Sequence, residues 1–272
     1  MSKKFVFLLP LLSAAPLFLA GALRLPVAEP PASFVPRAVS LAPEFASVDA
    51  KALLERAVDR LSPERIRWLH VHLRQQMGTS AAAFESEGTL QLGPDHCVRL
   101  DLTVRTGVIP ARRLVVSDGR AVAEVTQLGF GPPRATTRLL GPVSAPSTQS
   151  PEPPAEALCQ LGCGGPYPLL KDLQTRLRAL AAETGVWQRS SVVRLRGVLA
   201  AGPTGVATSP VAADFCYLYL DAQSLWPHRL EWWGTGSKQL ARPVLALEFT
   251  DPQVNRPLSL DECVRVFSYQ PE

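Results

Sequence analysis

Residues 97–105 read CVRLDLTVR, with Val98, Leu100, Leu102 and Val104 at every second position and Arg99, Asp101, Thr103 and Arg105 between them. A period of two sends alternate side chains to opposite faces of a strand. One face of this run suits a core and the other suits water, the signature of an antiparallel sheet rather than a parallel sheet buried on both sides. The pattern recurs. In ERIRWLHVHLRQ, Leu69, Val71 and Leu73 share one face and Trp68, His70 and His72 the other. FESEGTLQLG is a further strand, and ARRLVVSDGRAVAEV sets Asp118-Gly119 between two apolar runs, a pair that accepts the positive φ angles of a tight hairpin. Residues 64–126 therefore predict an antiparallel meander of about five strands.

Helical spacing brackets this meander. ASVDAKALLERAVDRL repeats Leu53, Leu54, Ala57, Val58 and Leu61 on one face, with Asp49 or Ser47 as the cap and Pro63 as the stop. YPLLKDLQTRLRALAAE predicts a second helix over 167–184, with Leu169, Leu170, Leu173, Leu177 and Leu180 inward. Between meander and second helix, residues 131–166 are rich in Pro, Gly and Ser and predict a long loop or linker, either a divider between two domains or, the preferred reading, an insertion within one sheet. Strand-like runs resume as SSVVRLRGVLA, DFCYLYLD, PHRLEWWG and RPVLALEFTD, and VRVFSYQPE predicts a closing strand.

The first residues have the anatomy of an export signal. Lys3 and Lys4 precede an apolar run from Phe5 to Leu23, and Ala20-Gly21-Ala22 supplies small residues for cleavage. Roughly 20 apolar residues also suffice for an uncleaved anchor. The division expected is a signal over 1–22, a disordered Pro/Ala-rich leader over 23–46, and one domain over 47–272. The formal charge of +4, near +2 once Lys3 and Lys4 are removed, is too small to support nucleic-acid binding. An apolar share of 46% excludes wholesale disorder.

The C-terminal half carries a resemblance. A strand ending in Asp221 is followed by Leu225-Trp226-Pro227-x-Arg229-Leu230, then a strand ending in Phe249-Thr250-Asp251. An Asn255-x-Pro257-Leu258-Ser259-Leu260 step and Phe267-Ser268-Tyr269-Gln270-Pro271 close the chain. With the leading helix, the Ser117-Asp118-Gly119 hairpin and the mid-chain helix, Asp49 to Pro271 resembles the LolA/LolB-like periplasmic lipoprotein carriers. The resemblance implies an α+β fold in which a single strongly curved antiparallel sheet, an open half-barrel, packs helices on its concave face. It also implies an apolar cavity for a lipid or the acyl chains of a lipoprotein, with a membrane or envelope protein as the receiving partner. The Pro-rich insertion and the extra cysteines depart from that pattern. The arginine that holds the carriers' helical lid has no unique counterpart among Arg67, Arg74 and Arg99.

The residues expected to line such a cavity are Trp68, Val98, Leu100, Leu102, Leu114, Val116, Leu173, Leu177, Leu230 and Trp232. Trp232 and Trp233 must point to opposite faces of their strand. Five cysteines in an exported chain allow disulfides: Cys159–Cys163 is the most local, Cys216–Cys263 can form if their strands are neighbours, and at least one thiol is unpaired or pairs between chains. His70-x-His72 puts two imidazoles on one strand face, but two nitrogens fall short of a metal site and no metal or cofactor is expected. No Gly-x-Ser-x-Gly elbow is present and no enzyme is expected. A sensor of envelope signals and a purely structural envelope protein are the other functions such a fold accommodates.

Overall fold

The structure is a computed structural model, and it describes residues 34–77, 84–106, 109–139, 165–200, 213–234 and 242–269. Strands are β1 (Val35–Pro36), β2 (Leu69–Met77), β3 (Phe84–Leu92), β4 (Cys97–Thr106), β5 (Ile109–Asp118), β6 (Ala121–Leu128) and β7 (Arg134–Leu139). They continue with β8 (Leu177–Trp187), β9 (Ser190–Leu199), β10 (Phe215–Asp221), β11 (Pro227–Trp233) and β12 (Leu245–Val254). Helices are α1 (Ala50–Arg60), α2 (Pro166–Arg176) and α3 (Leu260–Phe267). Among the described residues the strands form one antiparallel sheet in the order β1-β8-β9-β10-β11-β12-β2-β3-β4-β5-β6-β7. The sheet is open: β1 and β7 are its two edges and are not joined to each other. The fold is thus α+β, a curved antiparallel sheet with helices against it.

The meander appears as β2 to β6. Alternation sends Leu69, Val71, Leu73, Leu90, Leu100 and Leu102 to an inner face, where they join the main core. From the other half come Leu195, Leu218, Leu230 and Leu247, all at most 1% exposed. Helix α1 covers this face with Leu53, Leu54, Ala57 and Val58, and α2 with Leu169, Leu170 and Leu173. Asp49 caps α1 by accepting from Ala52 N–H at 2.8 Å. The β5–β6 turn closes as expected. Gly119 takes φ 83°, and Asp118 Oδ1 accepts from Arg120 and Ala121 N–H, each at 2.8 Å. Those two donors hold the Asp118 carboxyl below the usual carboxylate range.

Five expectations are corrected. The predicted helix over 167–184 ends at Arg176, and Leu177 onward is strand β8, paired with β9 from Leu177↔Leu199 to Trp187↔Ser190. Sheet pairing overrides the helix propensity of Arg-Ala-Leu-Ala-Ala. The closing run is a helix: Ser259 and Glu262 form a reciprocal capping box at the start of α3, which lies over β4 and β5. That contact is on the outer face, where Arg99 Nη1 donates to Val266 O at 3.1 Å, so the helices are not all on the concave side. Part of the predicted leader is ordered, with β1 on β8 and Phe45 2% exposed in the core. Part of the predicted Pro-rich loop is strand β7 on β6. The signal and the stretch 140–164 lie outside the described residues.

The outer face is held by charge. One transverse row passes through Glu183, Arg194, Tyr219, Arg229, Glu248, Arg74, Glu87, Thr103 and Arg112, each directly opposite the next in register. Opposite charges at directly paired positions stabilise a sheet by about 0.2–1 kcal/mol each.

Candidate functional site

The inner face is where a hydrocarbon ligand would have to lie, and the structure fills it. Leu53 and Leu54 of α1 and Leu169, Leu170 and Leu173 of α2 are at most 2% exposed, packed directly on the sheet leucines. The expected open hollow is therefore overturned among the described residues: the chain's own side chains occupy it. The physical reason is that two short helices with continuous leucine faces bury their surface best by seating on the sheet.

Of the residues expected to line a cavity, Leu100, Leu102, Leu173, Leu177, Leu230 and Trp232 belong to this inner core, and Val98 packs against it. Leu114 and Val116 do not. They stand opposite Asp101 and Arg99 in register and so share the outer face that α3 covers, while Val115 points inward. Trp68 also faces outward, its ring 6.4 Å from that of Phe267 in α3. Both faces of β5 carry apolar residues, which is why LVV did not reveal its orientation. Trp232 lies in the inner core at 3% exposure, and Trp233 stacks on Phe215 outside, ring centroids 6.1 Å apart.

An apolar opening remains at the C-terminal end of α1. A cleft of about 410 Å³ is lined by Leu61, Ile66, Leu225, Trp226, Pro252 and Val254, with Arg60, Arg65, Ser224 and Asn255 at its polar margin. That volume falls within the roughly 300–1,000 Å³ of small-molecule sites. Leu61, Leu225 and Trp226 also belong to the main core, so the floor of the cleft is the edge of the packed inner face. A second, smaller depression of about 230 Å³ shares Arg60 and Arg65 with it and adds Glu44, Phe45, Arg56 and Asp59. Arg60 stands 4.9 Å above the Phe45 ring and is paired with Glu44; Arg65 pairs with Asp59 at 2.8 Å.

The Leu-Trp-Pro turn explains how the cleft is built. Asp221 Oδ1 accepts from Gln223 N at 3.0 Å, Ser224 N at 2.7 Å and Ser224 Oγ at 2.8 Å. Burial raises the Asp221 carboxyl, yet the Ser224, Gln223 and His228 bonds outweigh it and leave it below the usual range. Leu225 is then forced to φ 58°, and Trp226 donates Nε1–H to Phe249 O at 3.0 Å. Asn255, at φ 54°, also lines the cleft, and Asp251, at φ 52°, precedes the lining residue Pro252. Asn255 accepts from Arg67 N at 2.9 Å and donates to Arg65 O at 2.6 Å, tying down the segment after α1. Two non-glycine residues with positive φ, Leu225 and Asn255, line one small cleft, a clustering typical of binding sites. Sequence alternation could not reveal this cleft, since it joins the end of α1, the turn before β11 and the end of β12. Its one visible sign was the Pro-containing step between two strands.

The remaining candidates separate. His70 and His72 lie side by side, ring centroids 6.2 Å apart. Burial first, then His72 and Arg256, hold His70 below its ordinary value of 6.5. Cys216 is a free thiol, fully buried on the inner face of β10, and burial pushes it well up. Cys263 is also free and lies on α3 at the outer face, so the expected Cys216–Cys263 bridge is not formed: the sheet stands between them. Cys159 and Cys163 lie outside the described residues.

No family model matches the chain, and no curated protein matches its sequence. Solved structures do resemble it. A DUF1329 family protein from Desulfovibrio piger overlaps 78% of this chain and 95% of its own at 6% identity and TM-score 0.33. A putative outer membrane lipoprotein-sorting protein domain from Vibrio parahaemolyticus overlaps 79% and 96% at 10% identity and TM-score 0.29. A LolA superfamily protein from Nitrosomonas europaea overlaps 82% and 99% at 11% identity and TM-score 0.27. The likeness concerns the fold alone.

Proposed function

We propose that this chain is a non-enzymatic, exported envelope protein that takes up an acyl chain between α1 and the sheet, entering at the Leu225–Trp226 cleft. The carrying observation is that Leu61, Leu225 and Trp226 both floor that cleft and belong to the inner core. The ligand does not enter a ready-made hollow; α1 has to lift. The magnitudes permit it. Uncovering Leu53, Leu54 and Val58 costs roughly 5–9 kcal/mol, while burying a chain of about 14 methylenes returns roughly 11 kcal/mol. The surplus is roughly 2–6 kcal/mol, small enough for a cargo that must be released to a membrane or an envelope partner. Arg60 and Arg65 at the margin suit an anionic head group, and neither is locked away in the core.

Native mass spectrometry of the exported chain, with organic extraction of bound material, tests the proposal beside titration with a fluorescent fatty acid. Saturable uptake is expected, weakened at least tenfold in Ile66→Glu while the circular dichroism spectrum is kept. Absence of bound lipid together with absence of probe uptake overturns it. A second reading, a structural envelope protein without ligand, is favoured by the close packing of the inner face, and that negative result would establish it.

A further inference from the structure

We propose that Cys97 and Cys263 form a disulfide that fastens α3 to the outer face of the sheet, made by thiol–disulfide exchange with a disulfide-bearing donor. The inference is independent of acyl-chain uptake and rests on how α3 is seated. Cys97 begins β4 and shares the outer face with Arg99, whose guanidinium holds Val266 O of α3 at 3.1 Å. A side chain placed on Gly93 would meet Cys97 Cβ at 3.2 Å and the Phe267 ring at 3.2 Å, so Cys97 and Phe267 flank one point of the sheet. Cys263 precedes Phe267 by four residues and therefore lies on the same face of α3. Both thiols are free and only partly covered, so a donor can reach them. They are close enough to interact: burial first, then Asp118, Asp95 and Cys263, push the Cys97 thiol up.

Helix α3 has need of such a tie. Its eight residues bury only Phe267, while Leu260 is 80% and Val264 53% exposed. A helix this short does not persist in water without tertiary support. The bond would close a loop well over a hundred residues long, where a cross-link restricts the unfolded chain most.

The exchange balances. One cysteine thiolate attacks a donor sulfur, and the donor's first thiol leaves with a proton. The second cysteine attacks the mixed disulfide and expels the second donor thiol. Two cysteines are oxidised and one donor disulfide is reduced. The raised Cys97 thiol makes uncatalysed attack slow at neutral pH, since the thiolate is the nucleophile.

The full chain is incubated folded with oxidised glutathione, free thiols are alkylated, and the digest is mapped by mass spectrometry. A linked peptide joining Cys97 to Cys263, with Cys216 still alkylated only after unfolding, is the expected result. Oxidation should raise the melting temperature by roughly 5–10 °C. Cys97→Ser and Cys263→Ser should each abolish both the linked peptide and the rise. Should either variant fail to fold, the wild-type map decides alone. Cys263 linked instead to Cys216, Cys159 or Cys163, or both thiols left reduced, overturns the proposal.

Discussion

Arg229 is the residue with most at stake. It is 2% exposed, bonded to Glu231 at 2.6 Å and paired with Glu248, and its Nη2 has no protein partner among the described residues. Trp187 lies over its guanidinium at 6.0 Å. Removing the cation leaves two buried carboxylates without their shared partner. Arg229→Leu is expected to cost about 3–5 kcal/mol in urea unfolding at pH 7. Replacing Arg229, Glu231 and Glu248 together by leucine should recover most of that, because no charge is then left unpaired. His70 provides a titration. Its folded value is depressed, so the unfolded chain binds more protons below pH 6.5. Its contribution is complete above that pH and is lost as pH falls from 6.5 toward the lowered folded value. The urea midpoint should therefore fall on acidification through this window, and His70→Gln should flatten the slope. An unchanged slope in the variant would remove His70 from the account.

At the scale of elements, alternation identified β2 to β6 because one of their faces is wet. The same rule left β5 ambiguous, since Leu114 and Val116 are buried under α3 while Val115 points toward the main core. The two misread segments share a cause. LRALAAE is helical by propensity but strand by pairing, and Ala179 at φ 50° sits at the resulting irregularity in the β8–β9 register. LDECVRVF looks strand-like at its end but is started as a helix by Ser259 and Glu262. Ser259→Ala should cost about 1 kcal/mol of helix stability, read as faster amide exchange confined to 260–267. At the β5–β6 turn, any side chain on Gly119 would meet Asp95 O at 2.0 Å in a positive-φ conformation. Gly119→Val should therefore lower the thermal midpoint by several degrees, more than the same change at an exposed loop glycine.

For the whole molecule, the open curved sheet with helices against it was what the family resemblance implied, and strand alternation gave the opposite orientation of Trp232 and Trp233; the seat of α3 on the outer face was in neither. Whether the inner face is hollow was not legible. Leucines that line a cavity and leucines that fill one have the same period, because periodicity reports which face is apolar and not what lies against it. Leu53→Ala in α1 should cost about 2–5 kcal/mol if the face stays packed, as a cavity replaces a buried side chain. The same variant should bind a fluorescent fatty acid more tightly, since less apolar surface has to be uncovered. A loss of affinity in Leu53→Ala would count against entry beneath α1. What the residues determined on their own was local: strand faces, the Asp118-Gly119 turn, the cap of α1 and the apolar stripes of two helices. The tertiary structure alone decided which face each helix covers, the cleft between α1, the turn before β11 and the end of β12, and the juxtaposition of Cys97 with Cys263. These join residues far apart in the chain, and their geometry follows from how the sheet pairs and bends, which no local pattern encodes.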